Sequence, residues 1–387
     1  MRREPGRDVG EWELEEGGDL AGGWEARASF CTWRGLLGVV AVLAVGAALV
    51  GDEPDSRGEW RGGVALAGHS GLVDSLRFSP DGRTLLSSGW DRTVRLWALE
   101  ASGSDFGVEL ARLSSDGEVY ASAISPDGRT VAVAGFDGLS LWDWAEGHGI
   151  RRASRPTGMS RALAFSPDGR LLAAGGYDDG IHLVDVATGR VEADLIGHRD
   201  VVRMLAFTAD GSRLLSLSYD GRLKSWDVAS RREVGMLSGL GADELPVLTF
   251  TLSPDGRRLA LSRTGESDGR IEVWDVAEGT SRASCRGESG SGEVHALAFS
   301  RDGAVLASCA GDLTTRFWDP MTGRPLGILE GARGWVRTFD FSVDGRWLVT
   351  SSAPDEVRLW RVDLPRRRVA PATATTQGGS PLAAGAA

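Results

Sequence analysis

Two histidines head matching constellations in this chain. His69 is followed by Ser87, Asp91 and Trp97, and His198 is followed at the same offsets by Ser216, Asp220 and Trp226. Serine, histidine and aspartate are the residue types of an acyl-transfer triad, in which an imidazole activates a hydroxyl and a carboxylate orients the imidazole. That chemistry also requires an accessible nucleophile and an oxyanion hole. No Gly-x-Ser-x-Gly elbow is present to expose either serine. The same groups, buried together, would instead satisfy one another's hydrogen bonds. The elements that carry them decide between these readings.

Other chemistry finds less support. No Gly-rich phosphate loop occurs, and His148, His182 and His295 are isolated in the sequence. Cys31, Cys285 and Cys309 fit neither a disulfide framework nor a zinc site, so Cys285 and Cys309 read as small buried residues. The net charge of −11 argues against nucleic-acid binding by bulk electrostatics. Neither a cofactor nor a metal is expected.

The carrying elements repeat. Ser79-Pro80-Asp81-Gly82 recurs as Ser125-Pro126-Asp127-Gly128, Ser166-Pro167-Asp168-Gly169, Thr208-Ala209-Asp210-Gly211, Ser253-Pro254-Asp255-Gly256, Ser300-Arg301-Asp302-Gly303 and Ser342-Val343-Asp344-Gly345. The seven starts are 46, 41, 42, 45, 47 and 42 residues apart. Proline presets φ, Asp bonds nearby backbone and Gly accepts positive φ, which is the chemistry of a hairpin connection. An apolar residue precedes each turn, and a β-rich run follows it. A second turn then leads to a third run ending at Trp97, Trp142, Val184, Trp226, Trp274, Trp318 or Trp360. Four of these tryptophans begin Trp-Asp pairs, and Trp90-Asp91 forms a fifth.

This pattern resembles the WD-repeat β-propeller family over roughly residues 62–362, with blades of four strands each. The resemblance implies an all-β fold, a single seven-bladed propeller of four-stranded antiparallel blades. The seventh repeat supplies only three strands, and Val64-Ala65-Leu66 is the unmatched one. In the family such a strand closes the ring, which removes the exposed sheet edges. The domain is therefore expected over residues 62–364, with Arg77 and Asp340 as a candidate pair across the closing seam. The family also uses His-Ser-Asp-Trp sets as internal braces. That makes His69, Ser87, Asp91 and Trp97, and likewise His198, Ser216, Asp220 and Trp226, structural tetrads. Blades without the His are expected to rely on apolar packing.

Outside the repeats, residues 1–34 are acidic and Gly-rich, and read as disordered. Residues 35–51, "GLLGVVAVLAVGAALVG", carry no charge. They read as a single transmembrane helix or signal-anchor at the short end of spanning length, with a signal-peptide core and a buried helix as alternatives. Residues 52–61 form a linker and 365–387 a flexible tail. The expected location is a single-pass membrane protein, with Arg34 and the upstream arginines pointing to a propeller outside the cytoplasm.

The function expected is that of a non-catalytic interaction scaffold for a protein or peptide partner. The alternative is a propeller enzyme or small-ligand sensor using the central channel. Five residues before each hairpin Ser or Thr lie Asp74, Tyr120, Arg161, Arg203, Leu248, His295 and Arg337. In the family these positions ring the channel mouth opposite the hairpin turns. Arg161, Arg203, Arg337 and His295 would give a local positive field suited to an acidic partner. Tyr120, together with Trp90, Phe136, Tyr177 and Tyr219 beside the second turns, would add aromatic contact area.

Overall fold

The computed structural model describes residues 59–60 and 63–362, apart from 100–105, 144–149, 153–157, 179, 236–245, 266–267, 288–291, 331, 333 and 353. Its regular structure is β-strand throughout, arranged as seven separate sheets. The inner strands of blades one to seven are Val73–Phe78, Val119–Ile124, Ser160–Phe165, Val202–Phe207, Val247–Leu252, Val294–Phe299 and Val336–Phe341.

The hairpin turns explain why these runs fold back. Ser79 Oγ donates to Asp81 Oδ1 at 2.6 Å, Asp81 Oδ1 accepts the Arg83 amide at 3.0 Å, and the Thr84 amide donates to Ser79 Oγ at 2.9 Å. Gly82, at φ 72°, turns the chain where an L side chain would be strained. The Ser or Thr hydroxyl bonds the Asp in the other six copies too, at 2.5–2.7 Å.

The seventh sheet is completed by Val64–Leu66, which pairs antiparallel with Glu356–Arg361 in the register Val64↔Leu359, Ala65↔Arg358 and Leu66↔Val357. Leu66 then packs with Val73, Leu76, Val357 and Leu359, so one apolar cluster spans the first and last blades. The other clusters likewise lie between neighbouring blades, as Leu217 with Val247 and Phe250 shows. At about 1.5–3 kcal/mol per fully buried large side chain, these inter-blade seams supply most of the driving force.

Closure differs from expectation in one detail. Asp340 accepts the backbone amides of Phe78 and Phe341, both at 2.9 Å, while Arg77 Nη1 donates to the Leu76 carbonyl at 2.7 Å. The seam carboxylate is thus bound by backbone, and Arg77 acts on it only through its charge. A second difference lies at the chain's entry. Glu59–Trp60, expected within a linker, pairs in parallel with Pro325–Leu329 as a fifth strand on blade six.

Residues 1–34, 35–51 and 365–387, with the helix expected in the second of these, lie outside the described residues, as do Cys31 and His148. The expected membrane location meets a finding against it. Among the described residues no helix is long and apolar enough to cross a membrane. Most apolar side chains of the strands are buried against one another between blades.

Candidate partner-binding site

The two tetrads are connected sets. With a neutral imidazole, Trp97 Nε1–H donates to Ser87 Oγ at 2.8 Å, Ser87 donates to His69 Nε2 at 2.7 Å, and His69 Nδ1–H donates to Asp91 Oδ2 at 2.8 Å. Blade four repeats this with Trp226, Ser216, His198 and Asp220 at 2.8, 2.7 and 3.0 Å. Burial alone would raise the Asp91 carboxyl, but hydrogen bonds and charge from His69 hold it well below the usual carboxylate range. Burial lowers His198 below its ordinary value against the opposing pull of Asp220. Ser87 and Ser216 are fully buried and their hydroxyls engaged, so neither is open to attack a substrate.

Elsewhere the tetrad survives in part. Trp318 and Trp360 donate to Ser308 Oγ and Thr350 Oγ1, both at 2.8 Å, so blades six and seven keep the Trp–hydroxyl half without the His. His182, isolated in the sequence, bridges Asp194 at 2.8 Å and Asp178 at 2.6 Å in blade three. Cys285 and Cys309 are buried, and burial pushes the Cys285 thiol up to about 12.

The channel mouth is built by a shared backbone device. In every blade the inner strand slips one residue against its neighbour, at Asp74, Tyr120, Arg161, Arg203, Leu248, His295 and Arg337. Such a bulge leaves one residue unpaired and re-aims its side chain. The aromatics of the second turns are pinned beside these positions. The amides of Trp90, Phe136, Tyr177 and Tyr219 donate to the carbonyls of Leu72, Glu118, Met159 and Val201 at 2.8–3.0 Å. In blade two the backbones approach so closely that a Cβ added at Gly135 would sit 2.0 Å from the Glu118 carbonyl oxygen.

Six of the seven bulged residues, all but Leu248, line a cavity of about 800 Å³ running along the central channel, as do Tyr219 and Trp335. Arg337 Nε donates to Asp74 Oδ1 at 2.6 Å, and Trp90 Nε1 donates to Asp74 Oδ2 at 2.7 Å. Tyr120 packs edge-on against Trp90 at 6.3 Å and donates its hydroxyl to Glu118 at 3.0 Å. Burial, with Glu118, pushes the Tyr120 hydroxyl up to about 12, so it remains a donor. The Arg161 guanidinium lies 5.8 Å from the Tyr120 ring centre and 5.9 Å from that of Tyr219, and Arg203 lies 5.1 Å from Tyr219. Arg203 also donates to the Leu248 carbonyl.

The structure therefore brings Arg161, Arg203, Arg337, His295, Tyr120 and Tyr219 to one mouth, with Trp90 and Tyr177 in contact with them. Phe136 stands exposed on the second turn of blade two, outside the cavity lining. Burial, with the Arg203 charge and against the opposing pull of Glu293, lowers the His295 pKa below its ordinary value, so its share in the expected positive field is smaller than that of the arginines. Sequence reasoning missed Trp335, which is 57% exposed and stacks on His295 at 5.3 Å. Its signal was a tryptophan just before an inner strand, away from the strand-end register. Among the described residues no group of three His, Cys, Asp or Glu is placed to hold a metal ion.

Known proteins place this architecture. The family description "WD domain, G-beta repeat" matches residues 63–98, 154–185, 189–227, 279–319 and 323–361. The chain is 30% identical over 353 residues to the ribosome biogenesis protein WDR12 homolog of Chlamydomonas reinhardtii, covering 79% of this chain and 68% of that protein. It is 29% identical over 299 residues to apoptotic protease-activating factor 1 of Rattus norvegicus, covering 76% of this chain but only 22% of the relative. It is 42% identical to the periodic tryptophan protein 2 homolog of Schizosaccharomyces pombe over 83 residues, covering 21% and 9% of the two chains. None of these three names designates a membrane protein. With no spanning helix among the described residues, the single-pass location expected from residues 35–51 is withdrawn.

Proposed function

Because the chain belongs to the WD-repeat β-propeller family, we propose that it is a non-catalytic scaffold that captures a protein or peptide partner on its channel-mouth face. The observation that carries this reading is the seven-fold bulge, which carries Arg161, Arg203, Arg337 and Tyr120 to one opening, with Tyr219, Trp90 and Tyr177 of the second turns beside them. Arginine and large aromatics are the side chains that dominate binding hot spots. Guanidinium groups bind carboxylates in bidentate fashion, so the partner presents acidic residues there.

The test is charge reversal on one face at a time. Changing Arg161, Arg203 and Arg337 together to Glu should abolish capture of proteins that co-purify with the wild-type chain and leave the melting temperature within a few degrees. The matched control reverses Arg83, Arg129 and Arg170 beside the hairpin turns and should keep capture. Loss in the control alone moves the site to the other face.

A further inference from the structure

We infer that the anion-binding locus of the mouth is not the whole ring but the Arg161–Arg203 pair flanking Tyr219, and that it takes one carboxylate of an acidic peptide segment whose neighbouring side chains are apolar. This rests on the partner-capture reading and narrows it. The cations of the ring are not equivalent. Arg337 already holds a carboxylate, Asp74, at 2.6 Å, and the Trp90 indole closes the other oxygen of that carboxylate. His295 is covered by the Trp335 ring. On the opposite side of the opening, Arg161 and Arg203 form no ion pair among the described residues. Their partners are the Tyr120 and Tyr219 rings, the Tyr177 hydroxyl at 3.4 Å, the Val247 carbonyl at 3.4 Å and the Leu248 carbonyl.

Two guanidiniums thus sit against one ring, neither in an ion pair among the described residues. The Arg161 charge, after burial, is among the causes that lower the Arg203 pKa. A second observation marks the same place: Arg203 Nε is buried and has no hydrogen-bond acceptor. An anion across the two guanidiniums removes the repulsion and supplies acceptors to both forks. The surroundings favour a monoanion. Glu118, bonded to Tyr120, and Asp74 both stand close to the opening, and their charges oppose a dianionic group more than a single carboxylate.

The flanks specify the rest of the ligand. The chain has three tyrosines, Tyr120, Tyr177 and Tyr219, and all three stand at this locus on consecutive blades. Tyr177 and Tyr219 are 45% and 51% exposed, and Phe136 on the preceding blade is 60% exposed. A row of aromatic faces beside a two-arginine fork fits a carboxylate side chain set among apolar ones. Tyrosine hydroxyls keep the row wettable when empty.

The probe is a capped pentapeptide of alternating leucine and glutamate, titrated calorimetrically into the full chain beside its glutamine counterpart. The glutamate peptide should bind at least tenfold tighter than the glutamine one. Arg161→Gln and Arg203→Gln should each lose at least tenfold, and Arg337→Gln less than threefold. Arg161→Lys keeps the charge without the fork and should fall between wild type and Arg161→Gln. It serves as the reading if the glutamine variant melts early. Equal binding of the two peptides, no binding of either, or an Arg337→Gln loss equal to that of Arg161→Gln overturns the inference. If the triple reversal abolishes partner capture while Arg161→Gln and Arg203→Gln bind the probe normally, the locus fails and the scaffold reading stands. If capture survives the triple reversal, the face itself is wrong.

Discussion

Blades seven and one meet with opposite charges at the register where blades three and four meet with like ones. Both seams use the same backbone geometry, a bulge on each inner strand. At the first, Arg337 and Asp74 pair, the Ser351 hydroxyl donates to the Val73 carbonyl at 2.9 Å, and Asp340 takes the Phe78 amide. The seam that must join the two ends of the ring is therefore satisfied from within. At the second, Arg161 and Arg203 share the Tyr219 ring and lack a carboxylate. Identical bulges carry an ion pair in one place and two guanidiniums without one in the other, and the side chain carried on the bulge makes the difference.

The largest expected effect comes from breaking closure itself. Deleting residues 62–67 removes the fourth strand of blade seven and the buried Leu66, which alone contributes about 2 kcal/mol. With the strand pairing lost as well, urea unfolding should show a drop of about 3 kcal/mol or more, spread over the whole domain. A drop below about 1 kcal/mol would mean that the seam holds without its closing strand.

A smaller effect compares the seams directly. Asp74→Asn leaves Arg337 without its counter-charge in a partly buried site and should cost about 1–2 kcal/mol. Arg161→Gln removes one of two like charges and should change stability by less than about 0.5 kcal/mol. Equal costs in urea melts would erase the distinction between a seam closed by an ion pair and one without it.

The smallest is a pH effect in blade four, which carries Arg203. Burial holds His198 below its ordinary value. Below about pH 6.5 the unfolded imidazole takes a proton that the folded one resists, so the unfolded state binds more protons and stability falls as pH drops. Asp220, also held low, adds a loss of the same sign in more acid solution. Between pH 7.5 and 5.5 the wild type should lose about 0.5–1 kcal/mol more than His198→Gln. A variant with the same slope as wild type would show that the tetrad histidine does not titrate on unfolding in this range.

Much of this architecture was legible in the residues. The Ser-x-Asp-Gly turns, the strand runs and the unmatched Val64–Leu66 all read directly, because each depends on neighbours a few residues away or on a simple count of strands. The tetrads read from matched offsets for the same reason: a repeat carries its own geometry. The lowered pKa of His295 did not read, since it follows from burial and from the charge of Arg203, two blades away. The Trp335 stack escaped as well, because a loop residue has no periodicity to betray where it lands.

The sequence by itself determined seven blades, their turns and the strand that closes them, since turn chemistry and alternating apolar residues act locally and repeat. Only the tertiary structure decided which mouth arginine holds a carboxylate and which do not. Arg337 meets Asp74 across 263 residues of chain, and Arg203 reaches the Leu248 carbonyl on the next blade. Such contacts exist only once the ring has closed and each bulge has turned its side chain toward the channel.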